Sequence, residues 1–470
     1  MSEQQNSSLD VPLGRIVLVA ATAALGGFLF GFDTAVINGA VGAIGERFGV
    51  SGFLLGFAVA SALIGCAIGA WYAGPVADRL GRIKVMIIAA VLFVVSSIGC
   101  AAAFSVWDLS LWRAVGGLGV GAASIIAPAY IAEVSPAGIR GRLGSLQQLA
   151  IVSGIFVALL TAYALVAAAG SATATLFGIE AWRLMFLAEL IPAVVYGVLA
   201  FTIPESPRFL IYRGQRQRAL KVLHKYVGGD VERTADEIER SFQGRTERPK
   251  LSVLRGPSRR IYPIVWAGLG LAILQQFTGI NVIFYYSSVL WQAVGFTEQD
   301  SLIITVITSV TNILTTVVAI VLIDKVGRKP LLLVGSIGQF ASLAVLAITF
   351  ATAPVVNGEP LLQGAASPVA LIAANLFVVF FGCTWGPIMW VMLGEMFPNK
   401  IRAMALAVAG AAQWAANFVV STTFPALSEA GLGLAYGVYT FFAFVSIFFV
   451  IKFIQETKGE TLEALSERDG

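Results

Sequence analysis

Apolar runs of about 18 or more residues, the length a helix needs to cross the hydrocarbon of a bilayer, recur along the whole of this chain. A water-soluble fold of this size must present a charged surface, yet of the 470 residues 57% are hydrophobic and only 12% charged, and the mean hydropathy is +0.83. Charged and Pro/Gly-marked breaks divide the runs into twelve predicted spans, near 14-39, 52-76, 84-105, 109-132, 145-169, 182-203, 261-293, 301-323, 331-353, 367-393, 403-427 and 432-454. Backbone polar groups in lipid must be satisfied within their own segment, and no polar/apolar alternation marks barrel strands, so the spans are predicted to be helices. The fold class is therefore an all-α membrane bundle.

Orientation follows from Lys and Arg, which short loops keep on the cytoplasmic side. Arg79, Arg82 and Lys84 follow span 2, Arg140 and Arg142 follow span 4, Lys325, Arg328 and Lys329 follow span 8, and Lys400 and Arg402 follow span 10, while the opposite breaks carry only Arg47 and Arg183. Both termini are then expected in the cytoplasm, as a multi-pass protein of the plasma (inner) membrane. The first ten residues, MSEQQNSSLD, lack the basic start of a cleavable signal, so the first span is expected to be retained.

Residues 205-260 form the longest polar stretch, with fourteen Lys/Arg against seven Asp/Glu. It separates an expected N-terminal six-span half, 1-204, from a C-terminal half and tail, 261-470. Apolar Ala219, Leu220, Val222, Leu223, Ile238 and Phe242 among the charges predict short amphipathic helices under the bundle. The basic excess reads as a positive-inside linker drawn to anionic lipid, in preference to a nucleic-acid surface.

The halves echo one another. Asp78-Arg79-Leu80-Gly81-Arg82 after span 2 returns as Asp324-Lys325-Val326-Gly327-Arg328 after span 8, and Glu133-Val134-Ser135-Pro136 after span 4 returns as Glu395-Met396-Phe397-Pro398 after span 10. Two parallel repeats around a midplane cavity are a common plan for secondary transporters.

Hydrolytic and metal chemistry find little support. Cys66, Cys100 and Cys383 lie in apolar runs without metal-ligand spacing, and His224, the one histidine, falls in the polar linker. No cofactor or metal is expected. What the spans do contain is amides: Gln147 and Gln148 at the start of span 5, Gln275, Gln276 and Asn281 in span 7, Asn312 in span 8, and Gln413 and Asn417 in span 11. Sugar hydroxyls both donate and accept, so neutral amides are fitting partners, with aromatic rings for the C–H faces. Gln276 and Asn281 lie about 140° apart on a straight helix, so meeting one ligand requires a break, predicted at Gly279. Ionisable residues are costly at this depth. Three stand out: Asp33 in span 1, Arg113 in span 4 and Glu189 in span 6.

Seven stretches carry a resemblance: Gly31-Phe32-Asp33-Thr34-Ala35-Val36-Ile37, Arg79-Leu80-Gly81-Arg82, Pro128-Ala129-Tyr130-Ile131-Ala132-Glu133, Pro204-Glu205-Ser206-Pro207-Arg208, Gln275-Gln276-Phe277-Thr278-Gly279-Ile280-Asn281, Gly386-Pro387-Ile388-Met389-Trp390 and Glu456-Thr457-Lys458-Gly459. The chain resembles the sugar-porter branch of the major facilitator superfamily, closer to bacterial glucose, xylose and galactose symporters than to the facilitative animal transporters. That resemblance implies monosaccharide bound between the halves, alternating access, D-glucose as first choice among hexoses, and action as a monomer. It turns Gln148, Gln275, Gln276, Asn281 and Gln413 toward ligand, adds Asn312 and Asn417, and places Trp385, Trp390 and Trp414 at the sugar or its path. Trp71, Trp107, Trp182 and Trp291 are instead expected in the interfacial belts.

Symporters of this branch carry Asp where the animal facilitators carry Asn, so Asp33 is expected to carry the proton, opposite Arg113 and tuned by Glu189. Across the cytoplasmic face, Glu133 with Arg402 and Glu395 with Arg140, beside Arg82 and Arg328, are expected to form a gate that opens when the cavity faces inward. An uncoupled facilitator, or a symporter of xylose, galactose or arabinose, stands as the alternative; Ile155, where xylose-type symporters have Gln, weakens the pentose reading. A sugar receptor, a multidrug antiporter and an enzyme are disfavoured.

Overall fold

The computed structural model describes residues 13–135, 140–242, 251–255, 261–356, 359–398 and 401–456. Twelve helices among the described residues are long and apolar enough to cross a membrane: Gly14–Phe48, Gly52–Leu80, Arg82–Ala102, Val106–Val134, Leu146–Ala169, Ala181–Ala200, Pro263–Ala293, Glu298–Ile323, Arg328–Ala351, Ala366–Met396, Met404–Ala430 and Leu432–Phe453. They are called here the first to twelfth spans. The first runs nine residues past its expected end, because hydropathy marks where lipid ends whereas a helix continues until something stops it. Here Gly49, with φ +61°, does so.

The repeat is visible in the chain breaks. Gly81 (φ +98°) separates the second span from the third, and Gly327 (φ +105°) separates the eighth from the ninth. In each half a carboxylate from beyond the sixth span of that half closes the new helix start: Glu205 accepts from the Arg82 and Ile83 N–H groups (2.9 and 3.3 Å), and Glu456 from those of Arg328 and Lys329 (both 3.0 Å). An anion at a helix N-terminus meets unpaired N–H donors and the positive end of the dipole.

Within the first half, the second and fourth spans approach backbone to backbone through Gly65 and Gly69 on one and Gly117 and Gly121 on the other. A Cβ on Gly117 would lie 1.9 Å from the Ala62 carbonyl oxygen, and one on Gly65 2.0 Å from that of Ala114. Lipid supplies no hydrophobic drive between helices, so such small-residue seams bring backbones close enough for dispersion to hold them. Gly117→Val is expected to prise this seam apart at a cost of about 1–3 kcal/mol or more; a thermal unfolding scan in detergent checks it against Gly74→Ala, whose Cβ meets nothing within 4 Å.

Between the halves, the first span packs on the outer part of the seventh, the second on the eleventh and the fifth on the eighth. The closest contacts lie at the end opposite the basic breaks. Gly56 fits against the Thr422 carbonyl, where a Cβ would sit 2.1 Å away. Asn38, wholly buried, donates to the Phe284 carbonyl (3.0 Å) and Ser287 Oγ (3.1 Å), and accepts from the Ser288 N–H (3.2 Å). Glu298 accepts from the Ala172 N–H at 3.2 Å. This end of the seam is shut.

The linker forms helices Pro207–Tyr212, Arg216–Val222 and Val231–Phe242, packed around Leu210, Ile211, Ala219, Leu223 and Ala235. Arg216 ties the last two together through Glu232, Asp236 and Glu239 at 2.6–2.9 Å. Residues 243–250 and 256–260 of the expected linker lie outside the described residues. Trp71 and Trp107 are exposed, as interfacial residues would be, but Trp182 and Trp291 are buried in protein. That corrects the belt assignment for the latter two: Trp182 packs edge-on to Phe48 and Phe186, and Trp291 edge-on to Phe296.

Candidate functional site

The seventh span is broken where its amides require. One helix ends at Phe277, Gly279 takes the left-handed conformation at φ +82°, and a second helix starts at Ile280. The break brings Asn281 Nδ2 to 2.5 Å from Gln276 Oε1. Gln276 Nε2 in turn donates to Gln275 Oε1 (3.1 Å), which also accepts from Gln413 Nε2 of the eleventh span (3.3 Å). Four amides from two spans thus form one chain.

The tenth span anchors it. A wide π-type turn at Phe381–Trp385 runs into Gly386-Pro387, and Pro387 has no N–H to give back to the preceding turn. Beside that proline, the carbonyls of Trp385 and Gly386 accept from Gln275 Nε2, at 3.1 and 3.3 Å. Fixed on both sides, the chain still offers groups: Gln413 Oε1 has no protein partner, and each amide has two donor hydrogens and two acceptor lone pairs.

The other expected ligands separate on burial. Trp385 is fully buried, its indole N–H shared by the Leu332 carbonyl (3.1 Å) and Ser336 Oγ (3.0 Å). It is a structural residue of the second half, a correction to its placement at the sugar. Trp390 is 44% exposed, and an exposed indole is what a sugar face can use. Trp414 lies against Phe30 of the first span, ring centroids 5.9 Å apart, so an aromatic contact joins the halves beside Gln413. Asn417 is buried, its Oδ1 accepting from Ser421 Oγ on its own helix at 3.0 Å. Asn312 is buried beside Gly382, and Gln148 is half-buried on the fifth span.

Asp33, Arg113 and Glu189 are all buried in the first half, at 1–2% exposure. The expected Asp33–Arg113 ion pair is not made in this conformation. Arg113 donates to two backbone carbonyls, those of Asp33 (3.4 Å) and Val59 (3.5 Å). The Asp33 carboxyl turns toward Gly116, where a Cβ would lie 3.1 Å from Oδ1. Asp33 Oδ2, Arg113 Nε and Glu189 Oε1 are each without a hydrogen-bond partner.

At the basic end, ion pairs close within each half. Arg82 meets Glu133 through Nε and Nη2 (3.1 and 3.2 Å) and Asp78 (3.2 Å); Arg328 meets Glu395 through the same two atoms (3.1 and 2.8 Å). Bidentate pairing of this kind is directional and strong for an ion pair. Glu133 also accepts from Ser206 Oγ at 2.5 Å, and Arg402 donates through Nε to the Phe397 carbonyl at 3.0 Å, so the Glu133–Arg402 pair expected across the halves is absent here. The side chain of Arg140, and with it the Glu395–Arg140 pair, lies outside the described residues.

Glu205 is partly desolvated, and burial pushes its carboxyl above the usual range against the pull of the Ser206, Arg82 and Ile83 N–H groups and the Arg82 charge. A raised folded pKa means that the folded protein holds this proton to higher pH than the unfolded chain. Stability therefore falls as pH rises from the ordinary carboxylate value through the raised one. Glu205→Gln is expected to flatten that slope, which unfolding scans across the acidic range measure.

Some functional groups were not singled out from sequence. Asn38 joins the halves, and Ser97 touches Glu189. For Asn38 a signal existed, since an amide five residues after Asp33 in the first span needs a partner at membrane depth.

Two six-span halves, a shut seam at one end, a chain of amides in the second half and buried charges in the first define a membrane transporter for a small polar solute. The chain belongs to the sugar (and other) transporter family, whose model matches residues 19–468. It is 59% identical over 453 residues to a glucose transport protein of Synechocystis sp., covering 96% of this chain and 97% of that protein. It is 38% identical over 501 residues to a D-xylose-proton symporter of Escherichia coli K12, covering 99% and 96%. An inward-open structure of the xylose transporter XylE from E. coli superposes with a TM-score of 0.81 at 36% identity, covering 97% of this chain and all of that one.

Proposed function

We propose that this protein carries D-glucose into the cell together with a proton, by alternating access. The observation that carries the reading is the amide chain from Gln413 through Gln275 and Gln276 to Asn281, held across a broken helix. Its groups suit hydroxyls and no formal charge competes with them. Glucose is preferred because the 59% identical relative is a glucose transport protein, and a proton because the D-xylose relative is a proton symporter.

Basic breaks stay cytoplasmic, so the shut end faces outward, the termini lie inside, and this conformation opens to the cytoplasm. In that state Asp33 has no ion partner, and a carboxyl at such depth is cheaper neutral than charged. Release of the proton to the cytoplasm frees the carboxylate to draw Arg113 from its carbonyls. Arg82–Glu133 and Arg328–Glu395 hold each half together while Arg402 is free to meet Glu133 when that face closes. The test is uptake of radiolabelled glucose by proteoliposomes, with and without an acid exterior. Gradient-driven accumulation supports symport; equal filling without a gradient favours the uncoupled facilitator; glucose-insensitive vesicles that fill with xylose or galactose move the substrate.

A further inference from the structure

The sixth span has an irregular turn at Glu189, whose backbone stays in the right-handed helical region at φ −64° and ψ −23°. Helix Ala181–Ala188 gives way there to Leu190–Ala200, because Pro192 has no N–H to return to the Ala188 carbonyl. The Phe186 carbonyl at the end of the first segment accepts from the Glu189 N–H at 3.2 Å and from Ser97 Oγ of the third span at 2.9 Å. The same Ser97 Oγ lies 3.1 Å from Glu189 Oε2. Ser97 and Glu189 are sealed from solvent, at 0% and 1% exposure. A serine hydroxyl has one hydrogen, so it cannot donate to both acceptors at once.

We propose that Ser97 is the positioning residue of Glu189, and that its single hydrogen links the proton on Glu189 to the irregular turn in the sixth span. With Glu189 ionised, the hydroxyl donates to Oε2, a charge-assisted bond, and the Phe186 carbonyl loses a donor. With Glu189 protonated, the acid donates to Ser97 Oγ and the serine hydrogen turns to the Phe186 carbonyl, fastening the end of the helix. One proton gained on the carboxyl thus adds one hydrogen bond at the kink. Other groups face Glu189: Asp33 from the first span, Arg113 from the fourth and the Cys100 thiol from the third; none comes from the fifth among the described residues. None of these is hydrogen-bonded to it. Ser97 is the side chain that holds the carboxyl, through Oε2, leaving Oε1 without a partner.

The transport consequence rests on the proton-coupled reading above, and the test separates the two. Infrared difference spectra of the reconstituted protein over a pH series, with Glu189→Gln assigning the carboxyl band, read this proton whether or not uptake is coupled. A buried carboxylate left without a donor costs far more than a neutral acid left without one. The loss of the single charge-assisted bond therefore outweighs the loss of the neutral bonds of the protonated state, and Ser97→Ala is expected to shift the band and raise its midpoint by about one pH unit, tenfold in proton affinity. Gradient-driven glucose uptake moves its pH profile the same way. Ser97→Thr keeps the hydroxyl and the wild-type midpoint; should Ser97→Ala not fold, Ser97→Cys, a weak donor, replaces it. A midpoint unchanged in the variant without the hydroxyl, or moved as far by Thr, overturns the proposal. If wild-type uptake ignores the gradient, the coupling reading falls while the infrared midpoint still decides on Ser97.

Discussion

Asp33→Asn is expected to abolish concentrative glucose uptake while counterflow exchange continues. Each pH unit of an inward acid gradient drives about tenfold accumulation in a one-proton symporter, because one unit is worth about 1.4 kcal/mol per proton. Asn has the shape of Asp and cannot take up or release a proton in the accessible range, so this drive is lost whole and internal sugar should stop at the external concentration. The variant should fold, since Arg113 is held by the backbone carbonyls of residues 33 and 59 and does not depend on the Asp33 carboxyl. The measurement is internal label at steady state, with and without the gradient, beside counterflow in the same vesicles. Full accumulation by the variant would move the proton to Glu189, the next carboxyl in the same interior.

How much of this was legible beforehand depends on whether a feature is local to one helix or shared between several. The break at Gly279 could be read because two amides on opposite sides of one helix, with a glycine between them, state the problem and its solution within seven residues. Twelve spans could be read because lipid imposes their length. Tryptophan environments could not: Trp385 and Trp390 flank the same proline, yet one indole meets Leu332 and Ser336 of the ninth span while the other stays open. The ion pairs show the same limit. The repeated motif singles out Arg82, Glu133, Arg328 and Glu395, but the pairs expected from it are Glu133–Arg402 and Glu395–Arg140. A motif does not distinguish pairing within a half, as Arg82–Glu133 and Arg328–Glu395 show, from pairing across halves. Asp33 and Arg113 are likewise neighbours, yet Arg113 meets the backbone carbonyl of residue 33 and not its carboxyl.

Gly279→Val is the second large effect, and it acts on sugar affinity. Residue 279 sits at φ +82°, where an L side chain costs roughly 1–2 kcal/mol, and a β-branched one more. Its Cβ would lie 2.8 Å from the Tyr439 ring, an overlap worth about 1–3 kcal/mol if the ring cannot retreat. Tyr439 is buried against Tyr436, ring centroids 6.0 Å apart, so its retreat is obstructed. The cheaper response is for the seventh span to rotate about the break, which carries Asn281 away from Gln276 and opens the amide chain at its shortest link. With about 1.4 kcal/mol per tenfold, affinity should fall about tenfold to a hundredfold, read as the half-saturating glucose concentration in counterflow. Gly437→Ala in the twelfth span, with nothing within 4 Å of the added Cβ, is the control for substitution itself. An unchanged half-saturation in folded Gly279→Val would mean that sugar is held by the amides one at a time and not by the chain they form.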